Sequence, residues 1–303
     1  MGTPEAAVPT LKRCLEDGHE VVAVWTQPDR PSGRGNKLHA PPVKEFAEAR
    51  GLTIHQPTKI RTEEAASLFA SYKADAAVVV AYGRILPAAF LNAPRMGCLN
   101  LHFSLLPKYR GAAPVNWAIV RGELETGVTT MQIGEGLDTG PILLQRATEI
   151  FGEETAPELM QRLAVMGANL LSETLRRIEE IEPRAQLEEE ATLAPVLKRE
   201  DGLIDWSLSA TEIERRVRGF QPWPNAYTSY DGRRLIIWRA VVESETQACA
   251  AGEVVEAHGD SLKIACGDGS VLRLLEVQPE GKRRMSVLDF LNGARVSAGE
   301  RLG

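Results

Sequence analysis

From Gly97 to Pro107 the chain reads G-C-L-N-L-H-F-S-L-L-P, and Cys98 to His102 alternates about Leu99 and Leu101. A short buried strand is the fold this spacing predicts. Side chains two apart on a strand point the same way, so Asn100 and His102 share a face opposite the leucines. Some thirty residues later E-G-L-D-T-G-P places Asp138 in a glycine-flanked loop. An amide, an imidazole and a carboxylate suit acyl transfer. An Asn N–H holds a developing oxyanion, a His exchanges protons near neutral pH, and an Asp orients and charges that His. No Ser sits in a G-x-S-x-G elbow here and no Cys has a base beside it, so the attacking atom is expected on the substrate. Each residue alone has a plainer role: Asn at a strand end turns or caps, Asp before Thr-Gly closes a loop, and His among apolar neighbours is a hydrogen-bonded core residue.

Composition narrows the class. A chain of 303 residues that is 44% hydrophobic is long enough for two domains with ordinary cores. A formal charge of −6 gives no uniform basic surface, so any RNA contact must be local. Cys14, Cys98, Cys249 and Cys266 lack metal-ligand spacing and read as reduced thiols, and no metal is expected. No signal peptide or membrane-length apolar run is present, and a cytoplasmic protein is expected.

Taken in order, Thr3-Pro4-Glu5 reads as a helix start with Thr3 as cap, the helix stopping at Gly18. A strand at Glu20 to Thr26 leads to a segment from Gln27 to Lys44 that holds Arg30, Arg34, Lys37 and Lys44 against Asp29. Pro28, Pro31, Pro41, Pro42, Gly33 and Gly35 predict no regular structure there; it is either a solvated lid or a local phosphate contact. Helices at Val43 to Ala49 and Thr62 to Tyr72, with strands at Leu52 to His55 and Ala76 to Val80, imply a parallel sheet. The chain then enters Ile85-Leu86-Pro87, at the carboxyl edge where ligands of such sheets bind. Arg110 reads as a phosphate contact or a loop lock. Strands at Val128 to Ile133 and Ile142 to Gln145 and a helix from Thr155 to Glu179 close a domain of residues 1–181. Acidic residues 182–197 read as a linker, and residues 198–303 as a second domain of short strands.

The run Asn-x-His, Ser-Leu-Leu-Pro, Arg-Gly-Ala-Ala-Pro and Gly-Leu-Asp-Thr-Gly resembles the folate-dependent formyltransferases, and among them most closely the methionyl-tRNA formyltransferase family. The resemblance implies a Rossmann-like parallel-sheet formyltransferase domain followed by a small OB-like barrel. It implies 10-formyltetrahydrofolate as co-substrate, held by Ile85, Leu86 and Pro87, largely through backbone groups, and by Ser104, Leu105, Leu106 and Pro107. Asn100, His102 and Asp138 become catalytic, with His102 sharing the oxyanion as imidazolium. Initiator methionyl-tRNA becomes the acceptor, contacted by Arg30, Arg34 and Lys37 from the Gly-Arg-Gly loop, with Lys282-Arg283-Arg284 a further candidate. A monomer is expected. That family carries an apolar strand ahead of Gly-Thr-Pro, and an N-terminal truncation or a misplaced start is expected to explain its absence here. Val115-Asn116-Trp117 departs from the family's Ile-Gln-Arg and is shared with sugar formyltransferases. The rival readings are a sugar-nucleotide formyltransferase, a formyltetrahydrofolate hydrolase, and a non-catalytic RNA-binding module.

Overall fold

The computed structural model describes residues 1–32 and 37–303. They form two compact units: Met1–Gly111, Glu125–Glu149 and Met160–Ala194 in the first, and Ala112–Leu124, Ile150–Leu159 and Pro195–Gly303 in the second.

In the first unit a single 3-10 turn, Glu5–Ala7, leads into α1, Val8–Glu16, which ends ahead of Gly18 at φ +81°. Thr3 does not cap it, because its hydroxyl donates instead to the Tyr82 carbonyl at 3.1 Å. Only Val24–Trp25 (β1) of the expected strand is paired. Arg30–Ser32 (β2) and Lys37–His39 (β3) form an antiparallel ribbon where none was expected. Pro31, opposite Leu38, is tolerated because a two-stranded ribbon has a free edge that needs no N–H. Pro42–Glu48 (α2) and Ile54–His55 (β4) follow, β4 lying parallel to β1. Glu63–Ser71 (α3) is capped by Thr62, whose hydroxyl accepts from the Ala65 N–H at 3.2 Å.

Ala77–Val79 (β5), the short helix Ala88–Leu91 (α4), Cys98–His102 (β6) and the bridge strand Arg110–Gly111 (β7) come next. After α5, Pro114–Val120, which groups with the second unit, come Glu125–Gln132 (β8) and Ile142–Glu149 (β9). The sheet order is β5-β6-β8-β9, with β5 and β6 parallel but β8 antiparallel to both its neighbours. This mixed sheet replaces the all-parallel one expected, because strand direction is set by the connections and not by local pattern. The long helix Ala156–Arg176 (α6) packs on the leucine face of β6: Leu171 joins Leu99 and Leu143, and Gly167 lets the helix come against Leu101. Residues 182–194 do not hang free as a linker. Leu193–Ala194 (β10) pairs in parallel with β7, and Arg184 exchanges two backbone hydrogen bonds with Ile142, both at 2.8 Å.

Between β1 and β5 the sheet is interrupted. Met1 donates to the Val78 carbonyl and accepts from the Val80 N–H, while Gly2 donates to the Trp25 carbonyl. These two residues link β1 to the segment at β5 through backbone hydrogen bonds, with Gly2 bridging to Val80 in parallel. Beyond them lies a cavity of about 540 Å³, lined among others by Cys14, Val21, Val24, Ala77, Val78 and Leu175.

The second unit is built on an antiparallel sheet. Ala226–Tyr230 (β11), Arg233–Thr246 (β12), Val254–His258 (β13), Ser261–Ala265 (β14) and Ser270–Pro279 (β15) pair in the order β11-β12-β15-β14-β13, and Met285–Ser286 (β16) adds to β15. Among the described residues its two outer strands do not pair, so the sheet is open. Ala210–Gly219 (α7) is started by a capping box of Ser209 and Glu212, and Val287–Gly293 (α8) by Ser286. α7 buries Ile213 and Val217 with Leu235, Leu272 and Leu274. Asn116 of α5 donates to the Gly219 carbonyl at 2.7 Å, and Trp117 donates to the Pro195 carbonyl at 2.9 Å, so both side chains serve packing within this unit.

Candidate active site

β6 delivers the two polar residues as its alternation requires. Leu99 and Leu101 are buried toward α6, which turns Asn100 and His102 to the other face at the carboxyl end of the strand. The Asn100 carboxamide is half-buried and makes no hydrogen bond to any described residue. His102 is only 6% exposed. Its Nε2 lies 2.9 Å from the Tyr109 carbonyl oxygen, which can only accept, so Nε2 carries a hydrogen and donates it. Nδ1 is then the nitrogen that faces Asp138, whose Oδ2 is 3.7 Å away.

Asp138 sits at φ +51°, in the left-handed region. Its Oδ2 also accepts from the Gly111 N–H at 2.9 Å. Gly111, at φ +128°, makes that approach where a larger residue would meet the Ala194 backbone. The 3.7 Å gap between Nδ1 and Oδ2 exceeds a hydrogen bond, so the imidazole is oriented but not locked at this nitrogen. Burial pushes the nearby Cys98 thiol up to about 11, which keeps it protonated and leaves it no nucleophilic role.

The expected folate-lining residues divide. Leu86 is buried with Trp25, Tyr82 and Phe90, and Leu106 is buried with Met131 and Ile142, so their side chains belong to the core. Ser104 is also spent, donating to the Lys108 carbonyl at 2.6 Å. Ile85 is 66% exposed, while Pro87, Leu105 and Pro107 are half-buried and stay at the surface of the rim. Arg110 is the loop lock and not a free phosphate contact: it is 5% exposed, donates to Gln186 Oε1 at 2.9 Å and makes two 2.9 Å bonds to Glu188.

Of the basic loop, Arg30 is exposed, Arg34 lies outside the described residues, and Lys37 lies in β3. Lys44 is paired with Asp29 at 2.7 Å, and Asp29 is held below the usual carboxylate range by Gln56 and by that lysine. Arg284 pairs with Glu276 and lies over the Trp238 ring. Sequence reasoning missed Tyr109, Gly111 and Gln186: Tyr109 acts through its backbone carbonyl, which no side-chain pattern signals, and Gly111 and Gln186 act through contacts 27 to 76 positions away. Among the described residues no group of three or more His, Cys, Asp or Glu is placed to hold a metal ion, and no helix is long and apolar enough to cross a membrane.

Comparison with known proteins gives the class first. The formyl transferase profile matches residues 1–175, and the formyl transferase C-terminal domain profile matches residues 196–295. A methionyl-tRNA formyltransferase of Acidobacterium capsulatum is 52% identical over 305 aligned residues, covering 100% of this chain and 98% of that one. The enzyme of the same name from Geobacter metallireducens is 47% identical, covering 100% and 97%. The chain belongs to the methionyl-tRNA formyltransferase family. Its fold is also that of an N-formyltransferase from Helicobacter canadensis solved with folinic acid and dTDP-3-aminofucose, at a TM-score of 0.66 and 19% identity, covering 92% of this chain and 97% of that chain.

Proposed function

We propose that this chain transfers the formyl group of 10-formyltetrahydrofolate to the α-amine of initiator methionyl-tRNA, the step that prepares the initiator for translation. The observation that carries the reading is the His102–Asp138 pair beside an Asn100 amide whose hydrogen-bond donors no described residue uses. An amide with unmet donors at the carboxyl rim of a buried strand is placed for a ligand oxygen.

The acceptor amine, whose pKa is about 7.7–8.0, is partly neutral at working pH and needs no activation by metal or covalent attachment. Its nitrogen bonds to the formyl carbon while the carbonyl electron pair moves to oxygen, and Asn100 Nδ2 donates to that oxygen. The excess proton on nitrogen passes to His102 Nδ1, since Nε2 is committed to Tyr109. Asp138 stabilises the imidazolium so formed. The same nitrogen returns the proton to N10 of the folate as the bond between N10 and the formyl carbon breaks and the carbonyl re-forms. His102 thus handles protons through Nδ1, and the oxyanion falls to Asn100.

The folate is placed against the exposed part of the rim, Ile85, Pro87, Leu105 and Pro107, with backbone groups of Leu86, Ser104 and Leu106 completing the cradle. Arg30, Arg34 and Lys37 meet the phosphates of the acceptor stem. A Rossmann-like reading of residues 1–181, residues 182–197 as a connecting segment docked on it, and an OB-like reading of residues 198–303 belong to the same proposal. So does a monomer working in the cytoplasm.

The test offers two acceptors. The protein is incubated with 10-formyltetrahydrofolate and either methionyl-tRNA or an amino sugar nucleotide. Formyl on methionyl-tRNA alone is the expected result. Formyl on the sugar alone, or formate released with neither amine formylated, contradicts it.

A further inference from the structure

The acidic segment after α6 carries one residue that reaches into the site. Gln186 Nε2 donates to the Asp138 carbonyl at 2.8 Å and to the Gly140 carbonyl at 2.7 Å. Its Oε1 accepts from Arg110 Nε at 2.9 Å, and Arg110 is clamped in turn by both oxygens of Glu188. The Gln186 amide therefore spans the two sides of the site: the loop that carries Asp138, and the segment whose Tyr109 carbonyl and Gly111 N–H hold His102 and Asp138. A few residues on, the same segment meets the second side again. Thr192 accepts the Arg110 N–H through its carbonyl at 2.8 Å and the Tyr109 N–H through its hydroxyl at 2.9 Å.

We infer that Gln186, backed by the Arg110–Glu188 pair, is a positioning residue that sets the separation between the Asp138 carboxylate and His102 Nδ1. This rests on the roles given to that pair above. Asp tolerates the left-handed region that Asp138 occupies at φ +51° but does not enforce it, and Gly136 and Gly140 flank it with no side chains of their own to fix the loop. The two bonds from Gln186 to the Asp138 and Gly140 carbonyls supply the restraint. The carboxylate they aim works at a distance where about 1 Å of displacement costs up to about a hundredfold in rate.

The test uses formyl transfer to methionyl-tRNA under saturation by both substrates. Gln186→Ala should lower kcat roughly tenfold to a hundredfold with both KM values and the thermal midpoint little changed. Gln186→Glu keeps an acceptor for Arg110 but loses both N–H donors, and should show the same kcat loss with the fold fully retained. In an Asp138→Asn background the Gln186→Ala change should cost less than about twofold, because residues acting as a unit are not additive. An equal loss in both backgrounds, or wild-type kcat for Gln186→Ala and Gln186→Glu, overturns the inference. If Asp138→Asn itself leaves kcat unchanged, the reading of the pair has failed and the inference fails with it; a large Asp138→Asn loss beside a silent Gln186 sinks the inference alone.

Discussion

The sheet of the second unit runs unbroken from β11 to β13 over a core that includes Leu235, Leu262, Ile264, Leu272 and Leu274, whereas the first unit's sheet is divided between β1 and β5 by a cavity of about 540 Å³. The same first unit holds the polar rim, with Asn100 and His102 on β6 and Asp138 in the loop between β8 and β9. The cavity adjoins the residues leading into β1 and β5, and the chemistry sits at the carboxyl end of β6. The interruption between β1 and β5 can therefore bear on stability without disturbing the site, because β6 keeps neighbours on both sides, β5 and β8. In the second unit Ile264, Leu272 and Leu274 are fully buried in one cluster, so its core should respond to loss of volume as close-packed interiors do.

Four experiments sharpen or break this contrast. Asn100→Ala should lower kcat by about 10²–10³, the usual cost of one oxyanion donor, while the thermal midpoint stays within a few degrees of wild type; steady-state kinetics with a melting curve would show a parallel fall in both if Asn100 were merely structural. Leu274→Ala, at a fully buried position facing Leu262 and Ala240, should cost the second unit about 2–5 kcal/mol in urea unfolding and leave kcat unchanged for the folded fraction.

The third test concerns the Met1 amino group, which burial lowers from 8.0 to about 6. The unfolded chain binds this proton below pH 8 but the folded chain only below about pH 6, so first-unit stability should rise as pH goes from 6 to 8. The gain is at most about 2–3 kcal/mol, two pH units at 1.36 kcal/mol each, and cavity water reduces it. Denaturant midpoints at the two pH values measure it, and acetylating Met1 should abolish the difference. Smallest in net terms, joining an extended apolar pentapeptide ahead of Met1 should fill the cavity as a parallel strand. Burial of its side chains at about 1.5–3 kcal/mol each is largely offset by about 1–2 kcal/mol per ordered residue. The thermal midpoint should rise by about 5 °C, with kcat unchanged; an unaltered midpoint would mean the gap does not accept a strand.

β6 was legible residue for residue, because Leu-Asn-Leu alternation fixes both a strand and its polar face. The helices from Thr62 and from Thr155 were similarly plain, since helical spacing is a local signal. The turn of β8 against its neighbours was not, as direction depends on a connection that no single segment encodes. That the Leu86 and Leu106 side chains turn into the core was not legible, because an apolar residue in a loop looks the same whether its side chain faces a rim or the core. Pro31 and the glycines hid the β2–β3 ribbon, and an acidic run hid Gln186, whose partners lie 46 to 76 positions away. Asn100, His102 and Asp138 could be named from sequence; what aims them could not.

The central claim is tested most directly by Asp138→Asn, which keeps the shape of the side chain and the Gly111 contact but removes the charge facing His102. Folate binding, followed by titration, should match wild type, while single-turnover formyl transfer to methionyl-tRNA should slow by about 10²–10⁴. Transfer at the wild-type rate with folate bound would contradict the account.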